Sequence, residues 1–410
     1  MKTDLDQLMR TYELDAILIT GPAQHNPAMA YLTGKAHLTN ADLIKKRGAE
    51  PVLFYHPMER DEAAKTGLST KNLSDYPLQD LLKMAGNDML KATILRYSKM
   101  LADLQITSGR IGLYGKIDAG FAYSIFFGLQ QQLPDLEIVG QVGDSLIMKA
   151  MATKDSPEVE RIREMGRITT SVVGMVADFL SSHKVAQNAL VKQDGFPLLI
   201  GDVKQRINLW LAESGVEDPE GVIFAMGRDA GVPHSSGNPK DQLKLGRSIV
   251  FDIFPCEAGG GYFYDFTRTW CLGYAPDEVQ SVYDDVFAVY KQIMAELKVN
   301  TPCRDYQVHT CELFEAYGHP TIKSNPATVD GYVHGLGHGV GLNIHEYPQF
   351  SLNSTGDNML RPGAVVSVEP GLYYPERGLG VRIEDTVWVR PDGEIEILAD
   401  YPYDLVIPVG

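Results

Sequence analysis

The first chemistry in this 410-residue chain is a set of acids embedded in apolar stretches. Between Val250 and Trp270 the sequence reads VFDIFPCEAGGGYFYDFTRTW, two apolar runs with one acid each, joined by glycines. With a turn between Ala258 and Gly259, Asp252 and Asp265 pair directly across a β-hairpin, with Cβ atoms roughly 5 Å apart. Carboxylates that close, among Phe, Val and Ile, repel each other and lose hydration unless protons or a cation intervene. Glu369 in VVSVEPGLYY and Glu384 in VRIEDTVWV likewise sit in apolar runs that read as central strands. Alternation puts Ser367, Glu369 and Gly371 on one face, and Arg382 on the face of Glu384. A buried Arg382 to Glu384 salt bridge accounts for one acid without any function, and a solvated sheet face suits Asp385 and Glu394.

The second unusual stretch is His334 to His345, HGLGHGVGLNIH, with three of the chain's ten histidines. Glycines at alternate positions allow close backbone approach and strained turns, so His334, His338 and His345 can be aimed into a crowded site as ligands or acid/base groups. These glycines are not a phosphate loop, because the GxGxxG spacing and a following Lys-Ser/Thr are both absent. Four carboxylates and an imidazole fit a two-metal hydrolytic site, in which two divalent ions offset the repulsion of the acids, activate water and polarise a carbonyl. Oxygen-rich donors favour Mn or Co, and Zn or Fe also fit the shell.

These residues need elements to hold them. The first 150 or so residues alternate strand-like runs, Asp15 to Thr20, Pro51 to Tyr55 and Ile111 to Tyr114, with helical stretches such as Leu90 to Leu104; this predicts an α/β domain. A helix signal follows, with Ser156 as N-cap and Pro157 at the first helical position. The expected division is therefore an N-terminal α/β domain at 1–152 and a catalytic domain at 153–410. In the latter, helix (from 156), helix (202–213) and strands are followed by helix (277–297), helix (304–317) and strands. The order predicts an α+β domain with an internal pseudo-two-fold repeat.

Composition bounds the function. A formal charge of −16 argues against non-specific nucleic-acid binding and suits metal cations or substrates with a positive end. The N-terminal residues lack signal-peptide order and no apolar run is long enough for a membrane span, so a cytoplasmic protein without membrane contact is expected. Cys256, Cys271, Cys303 and Cys311 form no CxxC pattern and are expected as buried free thiols.

Asp252, DFTRT after Asp265, HGLGHGVGL around His338, EPGLY at Glu369 and RIED at Glu384 together resemble the pita-bread metallopeptidases, the family of aminopeptidase P, prolidase and methionine aminopeptidase. The N-terminal domain, with AMAYLTG at Ala28 to Gly34, is similar to the creatinase/prolidase-like domain of its two-domain members. The resemblance implies Asp252, Asp265, His338, Glu369 and Glu384 as ligands of two metal ions, with Asp265 and Glu384 bridging. Glu369 is implied as general base, His234 and His345 as outer histidines that hold substrate and stabilise the oxyanion, His334 as a further substrate-side histidine, and Arg382 as orienting a ligand or substrate. It also implies a homodimer. Two departures stand out: Phe254 two residues after Asp252, where the family usually has glycine, and a longer AGGG turn. The expected activity is a dinuclear Xaa-Pro aminopeptidase acting by attack of metal-bound hydroxide on peptides with proline second. The alternatives are an Xaa-Pro dipeptidase (prolidase) and a catalytically inactive pita-bread scaffold.

Overall fold

The computed structural model describes residues 4–356 and 358–410. By backbone contacts the chain forms two units, one of residues 1–151 with Gly259–Gly261, the other of residues 152–258 and 262–410.

In the first unit a six-stranded sheet places Ala16–Gly21 centrally, antiparallel to Ala41–Lys46 and parallel to Gly109–Gly115. The runs at 16–21, 52–55 and 109–115 match the expected strands, and Met89–Asp103 is the expected helix. Strand Ala41–Lys46 (ADLIKK) was not expected. Its acid and two lysines hide the strand pattern, yet Asp42 is buried and accepts a hydrogen bond from Tyr97 at 2.8 Å, and Lys45 is buried with its ammonium 2.9 Å from Asp6.

The second unit opens with α1 (Ser156–Ser181) and α2 (Ile200–Glu213). The N-cap of α1 is Asp155 rather than Ser156. Asp155 accepts from the Glu158 N–H at 3.1 Å while the Glu158 carboxylate accepts from the Asp155 N–H at 2.8 Å, and this reciprocal box fixes the start one residue earlier. There follow β1 (Ile223–Met226), β2 (Ser248–Ile253) and β3 (Phe266–Leu272), adjacent in one sheet. The order then recurs: α3 (Asp277–Glu296), α4 (Cys303–Ala316), and β4 (Gly337–Gly339), β5 (Glu346–Phe350), β6 (Val365–Val368), β7 (Gly371–Tyr374), β8 (Leu379–Arg382) and β9 (Asp385–Val389). The apolar face of α3, with Val279, Val282, Val286 and Ile293, packs into one cluster with Val366, Val368, Val381 and Val387 of the second set of strands. Burial of such a face, rather than helix propensity, holds α3 in place. All four cysteines are buried free thiols.

Two registers depart from expectation. In the first hairpin Asp252 faces Thr267, not Asp265. The turn is centred between Gly259 and Gly260, both at positive φ (87° and 82°), where Ala258 would be strained. Moving the turn by one residue moves the pairing by two, so Asp265 lands diagonal to Asp252 but on the same face. In the second hairpin the strands are not continuous. β6 pairs with β9 and β7 with β8 in one register, Val368 opposite Asp385 and Gly371 opposite Arg382, with the ladder interrupted between them. Pro370 has no N–H to give, and among the described residues the backbone bond that crosses the gap is the one from the Ile383 N–H to the Pro370 carbonyl, at 3.3 Å. Glu369 and Glu384 therefore stand opposite each other at a break, not in mid-strand.

Candidate functional site

A cavity of about 500 Å³ in the second unit is lined by Asp252, Asp265, His338, Glu369, Glu384, His234, His334, His345 and Arg382, the full set of residues singled out in the sequence. Their burial is graded. Asp252, Asp265, Glu384 and Arg382 are buried at its floor, His338, Glu369 and His334 are half-buried, and His234 and His345 are exposed at its rim.

The backbone explains the convergence. Asp252 is inside β2, Asp265 immediately precedes β3, and Glu384 joins β8 to β9, where its N–H donates to the Thr267 carbonyl at 3.1 Å and ties the two hairpins together. Glu369 follows β6, and His338 is the centre of β4. The glycines beside His338 serve close approach: a Cβ on Gly337 would lie 2.0 Å from the Ser367 carbonyl oxygen, and one on Gly339 would lie 2.1 Å from that of Tyr347. None of the alternate glycines at 335, 337, 339 and 341 adopts positive φ, so the expected strained turns are not used.

Oxygen or nitrogen atoms of Asp265, His338 and Glu384 all lie within 4.8 Å of one another, close enough to hold one cation together. The His338 Nε2 is 3.5 Å from Asp265 and 3.3 Å from Glu369. Two buried carboxylate oxygens, Oδ1 of Asp252 and Oε1 of Glu384, have no hydrogen-bond partner among the described residues. Burial, then the charge of Asp252, pushes the Asp265 carboxyl well above the usual carboxylate range; burial, then Asp265, does the same to Glu384. Glu369 goes the other way. Burial alone would raise it, but the hydrogen bond and charge of His338 bring it down to about 2. Burial would lower His338, and Glu369 with Asp265 hold it at about 9 instead. Orphaned buried oxygens, mutually repelling acids and an oxygen-rich donor set with one imidazole are what a divalent-cation site requires, and the residues present fit one.

Arg382 does not pair with Glu384. Its guanidinium lies 2.6 Å from Asp252 Oδ2, with both groups nearly dry, and donates to Thr267 Oγ1 at 3.2 Å and to the Tyr373 hydroxyl at 2.7 Å. Asp385 is not on a solvated face either: it is fully buried, paired with Arg268 at 2.9 Å and bonded by Tyr290 and Tyr403. Glu394 is exposed as expected.

Three functional neighbours were missed. Thr267 donates to Glu384 Oε2 at 2.7 Å, Tyr373 bonds His334 Nε2 at 2.8 Å, and Ser367 Oγ lies 3.4 Å from Glu369. Alternation carries the signal, since Thr267 follows Asp265 by two and Tyr373 continues the face of Ser367, Glu369 and Gly371. At the rim the His345 and His338 rings are 4.3 Å apart, and partial desolvation of the His345 ring, followed by the His338 charge, lowers it to about 4. Phe254 also lines the cavity.

The fold and the site define a class. The model of metallopeptidase family M24 matches residues 160–391, and the chain belongs to that family. It is 33% identical over 208 residues to the YkvY protein of Bacillus subtilis, covering 50% of this chain and 53% of that one. It is also 30% identical over 193 residues to the Xaa-Pro dipeptidase of Pyrococcus furiosus, covering 47% of this chain and 51% of the relative. The match thus spans about half the length of these curated relatives. Among solved structures, the Xaa-Pro dipeptidase from Bacillus anthracis superposes with a TM-score of 0.74 at 21% identity, covering 98% of this chain and 99% of that one. The X-Pro aminopeptidase from Thermotoga maritima superposes with a TM-score of 0.73 at 21% identity over 98% and 100%. Both coverages extend the shared fold, the pita-bread architecture with its N-terminal domain, over nearly the whole chain. No helix among the described residues is long and apolar enough to cross a membrane.

Proposed function

We propose that this chain is a metal-dependent peptidase that removes the N-terminal residue of a peptide at a bond preceding proline. The observation that carries this reading is the joint placement of Asp252, Asp265, His338, Glu369 and Glu384 in one cavity, with orphaned carboxylate oxygens at its floor. Those five residues would hold two divalent ions, Mn or Co by the oxygen-rich donor set. Bound there, the ions supply Lewis-acid polarisation and water of lowered pKa.

The chain's own groups do the rest. Glu369, positioned by a hydrogen bond from Ser367, takes the proton of the attacking water at its carboxylate. His345, at the exposed rim beside His338, donates a hydrogen bond to the carbonyl oxygen as charge develops there. His234, also exposed at the rim, holds substrate. Arg382, locked by Asp252, Thr267 and Tyr373, fixes the floor and with His334 orients the peptide. Buried acids suit the cationic N-terminus of the substrate.

The second reading, an Xaa-Pro dipeptidase, is favoured by the name of the Pyrococcus furiosus relative. Purified protein loaded with Mn or Co, offered Xaa-Pro-Xaa tripeptides and Xaa-Pro dipeptides, separates the two. Cleavage of tripeptides is expected, and hydrolysis restricted to dipeptides would overturn the aminopeptidase reading. The same reading includes a cytoplasmic homodimer, which light scattering of the purified protein tests by a mass of two chains.

A further inference from the structure

The chain carries an excess of acids, 53 against 37 lysines and arginines, yet a second cavity is basic. Arg228, Lys240, Lys244 and Arg247 line a space of about 540 Å³, and Asp241 is the one carboxylate of the lining. Asp241 already accepts from the Asn238 amide at 2.8 Å. Arg228 lies 3.3 Å from Glu376, but both side chains are largely exposed, so this pair holds the guanidinium only weakly. Lys240, Lys244 and Arg247 make no ion pair among the described residues. Four like charges facing one concavity repel one another, and an anion with several acceptor oxygens relieves that repulsion.

The position separates this cavity from the catalytic one. Met226 ends β1, Arg247 precedes β2, and Gly378 precedes β8. The same three strands carry Ile223, Asp252 and Arg382 to the catalytic cavity at their other ends. Three to five residues along these strands correspond to roughly 10–16 Å between the two. The lining has no aromatic side chain to stack on a base or ring, so recognition rests on charge and hydrogen bonding.

We propose that this basic cavity binds a small phosphate-bearing molecule through its phosphate group. Guanidinium forks from Arg228 and Arg247 and the ammonium groups of Lys240 and Lys244 match tetrahedral phosphate oxygens, and the volume exceeds that of phosphate alone. The site is independent of the peptidase reading. The test titrates inorganic phosphate into the metal-loaded protein by calorimetry at constant ionic strength, with chloride as control, and repeats it on the triple variant K240A/K244A/R247A. All three side chains are exposed, so folding should be kept, and Xaa-Pro hydrolysis without phosphate should be unchanged. Phosphate affinity should fall by about tenfold or more in the variant. Equal affinity in both proteins, which would place the phosphate elsewhere, or no heat above the chloride control in the native chain, would overturn the proposal.

Discussion

In each hairpin of the catalytic unit one acid is compensated by the chain, and the other is pushed well above the ordinary carboxylate range. In the first, the acids are offset: Asp252 faces Thr267, Asp265 sits diagonally, and Asp252 owns a resident cation in Arg382 at 2.6 Å. In the second, Glu369 and Glu384 stand opposite each other at a broken ladder. There Glu369 leans on His338, while Glu384 keeps a buried oxygen without a partner. Asp252 and Glu369 each have a cationic or imidazole partner within 3.3 Å, whereas, among the described residues, Asp265 has only the more distant His338 at 3.5 Å and Glu384 has no basic partner; Asp252 Oδ1 and Glu384 Oε1 are both left for something those residues do not supply. That asymmetry explains why Asp265 and Glu384 are pushed furthest from the ordinary carboxylate range.

The comparison breaks most visibly through the uncompensated side. D265N or E384Q should reduce Xaa-Pro hydrolysis by more than about 10³-fold, since Lewis-acid stabilisation is worth several kcal/mol. At alkaline pH, where these carboxyls lose the protons that burial holds on them, the same variants should raise the melting temperature of the metal-free protein, because each then removes a buried like charge. A lowered melting temperature would mean that these acids were already satisfied. On the compensated side the sign reverses. R382A strands a buried Asp252 carboxylate and should cost roughly 3–5 kcal/mol of stability, read from denaturant midpoints with and without metal. Between the hairpins, T267V removes the hydroxyl shared by Arg382 and Glu384 and should cost about 1–2 kcal/mol.

A pH dependence sharpens the contrast. Asp265, Glu384 and His338 all have folded-state pKa values above their unfolded ones. In the metal-free protein their stabilising contribution is therefore full at low pH and is lost as pH rises through those folded values. A cation must displace the same protons, so the rise in melting temperature on adding Mn should grow from about pH 5 to about pH 8. Glu369, depressed to about 2, keeps its contribution throughout that window and does not alter the sign. A metal shift that is flat or shrinks with pH would argue that these groups do not face the ion.

Much of this was legible in the residues. Acids inside apolar runs and histidines between glycines mark the cavity because their burial has no inexpensive structural explanation. The register of the first hairpin was not, because AGGG offers three turn centres, and the demand for positive φ at both central residues excludes the one that uses Ala258 but does not choose between Gly259–Gly260 and Gly260–Gly261. The break in the second hairpin was legible in Pro370, a residue that a central strand excludes, although the surrounding run of valines masks it. The partner of Arg382 was beyond reach: alternation names neighbours along a strand, and Asp252 arrives from another hairpin. Asp385 was misplaced for the same reason, its Arg268 and Tyr290 partners coming from β3 and α3.

The central claim is that the uncompensated half of the floor is completed by divalent cations. Elemental analysis of the purified chain after loading with Mn and removal of free metal measures this directly. The account predicts two ions per chain, a stoichiometry lowered in E384Q, and hydrolysis of an Xaa-Pro substrate that disappears with a chelator and returns with Mn or Co. A chain that binds no divalent ion, or hydrolyses the substrate equally well in chelator, would contradict it.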